Sequence, residues 1–161
     1  MTDPSRPICI SGDEREGEIR ATVEIGVPRE RVFRALASDE IVDWWIRPGV
    51  FDTREWRGDL RPGGHWTASG YSRGSPYTLE GDYVEVDPPR KLVYTWRLKG
   101  DPEGSATTVS FTLDELDNGR ATRLILVHSG FSAGARFVAN HAGWETSLRH
   151  LIELFKKEGQ S

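Results

Sequence analysis

The sequence predicts an α+β domain in which seven antiparallel strands pack on one long C-terminal helix, in the order β-α-α-β6-α. Residues 141–157, HAGWETSLRHLIELFKK, carry the clearest helical period in the chain. Trp144, Leu148, Leu151, Ile152, Leu154 and Phe155 fall on one side, while Glu145, Arg149, Glu153 and Lys157 recur four apart on the other, the spacing of exposed ion pairs. The segments between them read as strands, and Arg61-Pro62-Gly63-Gly64, Asp87-Pro88-Pro89-Arg90 and Asp117-Asn118-Gly119 join them by tight turns. Turns that short leave no room for crossovers, so the sheet is antiparallel and the helices segregate to one face.

In chain order, residues 17–27 alternate cleanly, with Ile19, Ala21, Val23, Ile25 and Val27 on one face and Arg20, Thr22 and Glu24 on the other. Pro28 ends this strand and suits the first turn of a helix that aligns Val32, Phe33 and Leu36. Ser38-Asp39 looks like the cap of a second short helix carrying Ile41, Trp44 and Trp45. Pro48-Gly49 opens a loop, after which residues 51–56 and 64–71 read as strands. In 77–86, Tyr77, Leu79 and Tyr83 share one face but Val84 and Val86 the other, and Gly81 is read as the bulge that resets the phase. Leu92, Tyr94 and Trp96 alternate in 91–98, Val109, Phe111 and Leu113 in 107–115, and Leu124, Leu126 and His128 in 121–128.

At 161 residues the chain reads as a single domain, 17–158, behind a flexible N-terminal tail, 1–16. A net charge of −4 speaks against a nucleic-acid binder, whose affinity needs a basic face. Cys9 is the one cysteine, so no intrachain disulfide forms, which fits a reducing cytoplasm. No apolar run approaches the ~18 residues of a membrane span. Six Trp, six Phe and four Tyr are the compositional oddity, and aromatic side chains fill cores and line apolar pockets alike.

Five stretches, VPRERVFRALASDEIVDWW at 27–45, LRPGG at 60–64, LEGDYVEVDPPRKLVYTW at 79–96, TRLILVHSGF at 122–131 and HAGWETSLRHL at 141–151, resemble the stand-alone bacterial homologues of the activator of heat-shock protein 90 ATPase, in the START-like (SRPBCC) superfamily. The resemblance implies a helix-grip fold, a curved seven-stranded sheet wrapped round the C-terminal helix with an elongated cavity between them. It implies a superfamily of ligand binders and leaves the ligand open. A co-chaperone that modulates a heat-shock protein 90 type ATPase is the alternative it carries. A cavity enzyme, hydrolase or cyclase, is the third.

Catalytic and metal motifs are scarce. His141 and His150 stand nine residues apart, about 180° round a helix, and there is no HExxH, cysteine cluster or calcium loop, so neither metal nor cofactor is expected. Arg61-Pro62-Gly63-Gly64 lacks the helix and Lys-Ser/Thr pair of a phosphate loop, and Ser129-Gly130 lacks a nucleophile elbow. Glu80 and Asp82 have the spacing for acid-base work on one strand face, with solvated carboxylates as the simpler reading. His128 shares a face with Leu124 and Leu126, either as a core histidine bonded to a neighbour or as a polar anchor for ligand. Its partners would be Tyr94, a backbone carbonyl or the ligand itself. With the cavity that the resemblance implies, the expectation is a binder of a small, mainly apolar molecule lined by Trp44, Phe51, Trp66, Tyr94, Trp96, Phe111, His128, Trp144 and Leu148. A chaperone contact and a homodimer stay open as further partnerships.

Overall fold

The computed structural model describes residues 8–13, 17–47, 51–99, 106–130 and 135–159. In chain order these form β1 (Ile8–Asp13), β2 (Glu18–Ile25), α1 (Arg29–Leu36), α2 (Ile41–Trp44), β3 (Ile46–Arg47), β4 (Phe51–Gly58), β5 (His65–Ser72), β6 (Ser75–Asp87), β7 (Lys91–Leu98), β8 (Thr107–Leu116), β9 (Ala121–Ser129) and α3 (Ala135–Gly159). Alternation at period two builds the sheet: β2 buries Ile19, Ala21, Val23 and Ile25 and exposes Arg20, Thr22 and Glu24. β8 and β9 follow suit, burying Val109, Phe111, Leu113, Leu124, Leu126 and His128 on the same inner face.

The strands form one antiparallel sheet of nine in the order β1-β2-β9-β8-β7-β6-β5-β4-β3. α3 touches β1 and β2 at one end of that order and β3 at the other. One helix can reach both ends of a nine-stranded sheet only if the sheet curls round it. Trp144, Leu148, Leu151, Ile152 and Phe155 form the buried stripe of α3, while Leu154 is only partly buried. On the outer side Arg149 bonds Glu145 at 3.3 Å as the spacing predicts, whereas Glu153 pairs with Lys156 at 3.8 Å rather than with Lys157.

All seven expected strands are present as β2 and β4–β9, and two more join them. β1 occupies 8–13 of the expected tail, pairing Ile8–Asp13 with Glu18–Val23, and the rest of that tail, 1–7 and 14–16, lies outside the described residues. Cys9, Ser11 and Gly12 are exposed and only Ile10 packs partly against the core, an alternation too short to announce a strand. β3 is two residues long and equally silent.

Three local expectations also shift. Pro28 sits at the N-cap of α1, its carbonyl accepting from Arg31 at 3.0 Å and Val32 at 3.2 Å. α2 has no side-chain cap; Ser38 instead donates its hydroxyl to the Arg34 carbonyl at 2.6 Å and accepts from the Glu40 N–H at 3.3 Å, tying α1 to α2. The register break of β6 against β7 lies between Tyr83 and Glu85, not at Gly81. The irregular residue is the exposed Val84, which explains the reversed phase of Val84 and Val86. The Asp117-Asn118-Gly119 hairpin is present, with all three residues at positive φ, the geometry that Asp, Asn and Gly tolerate best. Pro48-Gly49 lies outside the described residues.

Candidate functional site

Aromatic rings from five elements converge on the inner face where α2 and α3 meet the sheet. Trp45, just after α2, is at the centre, with ring centroids 4.9 Å from Trp96, 5.7 Å from Trp44, 5.9 Å from Trp66 and 6.3 Å from Trp144. Tyr94 stands 5.3 Å from Trp66 and 6.2 Å from Phe111, and Phe111 lies 5.9 Å from Trp144. Most of these pairs are edge-to-face, an orientation the ring quadrupoles favour.

His128 is fully buried within this assembly, and its proton is placed by its partners. The Trp144 indole can only donate, and its N–H reaches His128 Nδ1 at 2.8 Å, so that nitrogen carries the lone pair. The ring hydrogen is therefore on Nε2, which donates to Thr107 Oγ1 at 2.6 Å. Thr107 donates its own hydroxyl hydrogen bond to the Trp96 carbonyl at 3.2 Å, closing a chain that runs in one direction from α3 to β7. Burial pushes the imidazole from its ordinary 6.5 down to about 3, so it stays neutral near pH 7.

A second construction crosses β6. The Trp66 indole donates to the Thr95 carbonyl, two strands away, at 3.1 Å. It does so by lying over Gly81, where a Cβ would stand 2.7 Å from Trp66 Nε1 and 1.8 Å from the Thr95 oxygen. The close approach of rings and backbone, not a bulge, requires glycine here. Strand pairing is recorded at Glu80–Arg97 and Tyr83–Tyr94 but not at the two positions between, where the Asp82 N–H turns to Thr95 Oγ1 at 2.8 Å.

Two fully buried ring donors in this interior have no acceptor among the described residues. Trp44, Trp66 and Trp144 each give their indole N–H to Ala35 O, Thr95 O and His128, but Trp45 Nε1 and the Tyr94 hydroxyl are buried without a partner. Burial raises the Tyr94 hydroxyl well above its ordinary range, keeping it protonated as a donor. Leaving a neutral group unpaired costs about 1–3 kcal/mol.

The structure thus brings Trp66, Tyr94, Trp96, Phe111, His128 and Trp144 together. Leu148 lies one helical turn beyond Trp144, fully buried. Phe51, half-buried, rests against α3 at Gly143, where a Cβ would stand 3.6 Å from its ring. Trp44 faces differently: its indole is bonded to Ala35 of α1 at 2.9 Å, and among the described rings it pairs with Trp45. Consecutive residues on a helix point about 100° apart, so the Trp44-Trp45 pair could supply only one central ring. Thr107, absent from the sequence expectation, is signalled by a hydroxyl on the otherwise apolar face of Val109, Phe111 and Leu113. Glu80 and Asp82 point outward, Glu80 to Arg97 at 3.2 Å and Asp82 to His65 at 3.1 Å, as surface pairs. That outer face also carries a polar groove of ≈ 240 Å³ lined by Glu55, Arg57, Thr67 and Ser69. The side chain of His141 lies outside the described residues, and among those described no group of three or more His, Cys, Asp or Glu could hold a metal.

A curled antiparallel sheet closed by one long helix, with rings gathered between them, defines the helix-grip class of START-like proteins. The chain belongs to the family described as Activator of Hsp90 ATPase homolog 1-like protein, whose model matches residues 26–156. It resembles a crystal structure from Chromobacterium violaceum at 26% identity and TM-score 0.77, covering 86% of this chain and 96% of that one. A Nitrosomonas europaea structure aligns at 25% identity and TM-score 0.72, covering 91% and 98%. One from Mycobacterium smegmatis, at 21% identity and TM-score 0.72 over 92% and 96%, shares the fold. No curated protein matches the sequence.

Proposed function

We propose that the chain binds a small, mainly apolar molecule between the inner face of the sheet and α3. The ring assembly around Trp45 carries this reading. Rigid rings held edge to face from α2, β5, β7, β8 and α3 make a shaped apolar wall, the usual lining of small-molecule sites. Its centre lies where two helices meet the sheet rather than within one layer.

Native mass spectrometry of the gently purified protein is the test, with a co-purified small molecule expected as added mass that denaturation releases. Leu148→Trp, which adds a second indole one helical turn from Trp144, should abolish binding of an apolar fluorescent dye while the far-ultraviolet spectrum stays native. Undiminished dye binding in that variant would refute the site.

The family match supports a second reading, modulation of a heat-shock protein 90 type ATPase. Stimulation of such an ATPase by this chain, unaffected by Leu148→Trp, would favour it. Catalysis in the cavity has less support. Proton transfer near pH 7 works best with a group poised near that pH, whereas burial holds both His128 and Tyr94 in their neutral forms.

A further inference from the structure

We infer that the molecule bound here is uncharged and presents a carbonyl-type acceptor to Trp45 and Tyr94; this deepens the ligand-binding reading and rests on it. Trp45 and Tyr94 both pack edge-on against Trp66, with centroids 5.9 and 5.3 Å away, and both are at least 97% buried. Their N–H and O–H are two of the three buried side-chain polar atoms without a partner among the described residues. The third, Arg29 Nε, belongs to α1 and stands 3.4 Å from Glu115 near the end of β8, so it already faces a carboxylate.

An indole N–H only donates, so whatever satisfies Trp45 must accept. Three neighbouring donors are already spent. Trp66 is bonded to Thr95, Trp144 to His128, and the imidazole and hydroxyl of His128 and Thr107 to each other. Trp45 and Tyr94 are the buried ring donors left for an occupant among the described residues.

Charge narrows the class further. The buried polar residues described are Thr53, Thr107, Thr122, His128 and Ser147, with no Lys or Arg among them. A carboxylate or phosphate would lose its hydration there without gaining a counter-charge. A ketone, ester, quinone or amide oxygen on an aromatic or aliphatic body meets both requirements.

Calorimetry of the full chain with three probes of one shape decides the matter: 2-acetylnaphthalene, its isostere 2-isopropenylnaphthalene, and 2-naphthoate. The ketone should bind about tenfold tighter than the isostere, as one well-made hydrogen bond allows, and tighter than the carboxylate. It should also shift the Trp45 indole N–H resonance, assigned by its disappearance in Trp45→Phe. Tyr94→Phe keeps the ring and should narrow the preference for the ketone. Equal binding of ketone and isostere would overturn the acceptor inference while leaving the apolar site standing. Tighter binding of the carboxylate would overturn its neutrality. Failure of all three to bind would overturn the ligand-binding reading and this inference together.

Discussion

Acid should loosen this fold through His128, and by an amount the structure allows to be worked out. In the unfolded chain the imidazole titrates near its ordinary 6.5, whereas burial holds it to about 3 in the fold. Between those values the unfolded state binds a proton that the folded state refuses. Stability is therefore intact above pH 6.5 and is lost as pH falls toward 3. From pH 7 to pH 5 the loss attributable to this ring is about 2 kcal/mol, at 1.36 kcal/mol per unit. Geometry supports the sign: a proton on Nδ1 would face the Trp144 N–H, donor against donor. His128→Asn is the comparison, because its amide oxygen can still accept from Trp144 but cannot titrate. Losing the Thr107 bond and some packing, it should cost about 1–3 kcal/mol at pH 7. Urea unfolding of both proteins from pH 7 to pH 4 reads the difference. The stability gap between them should shrink by about 2 kcal/mol by pH 5. Parallel profiles, or an NMR titration of His128 centred near 6.5, would refute the buried neutral ring and the relay built on it.

Gly81→Ala should destabilise by about 3 kcal/mol or more in thermal unfolding, since the added carbon meets the Thr95 backbone oxygen rather than a movable side chain. Trp144→Ala should cost about 3–5 kcal/mol, and a loss under about 0.5 kcal/mol would mean the ring is not core. Trp44→Phe should cost about 1–3 kcal/mol by stranding the Ala35 carbonyl, with no change in probe binding beyond twofold. Tyr94→Phe in the ligand-free protein should be neutral or stabilising by up to about 1 kcal/mol, because it removes a hydroxyl with no partner. A clear destabilisation would show that the hydroxyl is bonded.

What the sequence makes legible here is whatever burial writes into periodicity. The stripe from Trp144 to Phe155 and the alternation of β2, β8 and β9 announce themselves because each buried face must repeat at 3.6 or 2 residues. β1 and β3 escape notice because backbone pairing at a sheet edge demands no such repeat. Most of the ring assembly is legible for the same reason, as inner-face positions of β5, β7, β8 and α3. Which atom bonds which is not. The choice of Trp45 over Trp44, and of Thr107 as the partner of His128, depends on how α2 is turned and how β7, β8 and β9 are registered. Those are tertiary facts with no local signature. Gly81 was visible as an anomaly, but period alone could not tell a bulge from a bare backbone over which an indole must pass.

The two side-chain constructions meet on consecutive residues of β7. The Thr95 carbonyl receives the Trp66 indole from the β5 side, and the Trp96 carbonyl receives Thr107 from the β8 side. Through Thr107 and His128 the second reaches Trp144 on α3. Thr95–Trp96 therefore ties the long helix to one half of the sheet and Trp66 to the other, at the stretch where β6–β7 pairing lapses. Side-chain bonds replace ladder bonds just where the Trp96 ring lies 4.9 Å from Trp45. A ladder adds strength uniformly, but it cannot hold an indole and an imidazole at set angles. Substituting side chains orients the rings around Trp45, and it does so while leaving the Trp45 and Tyr94 donors uncommitted.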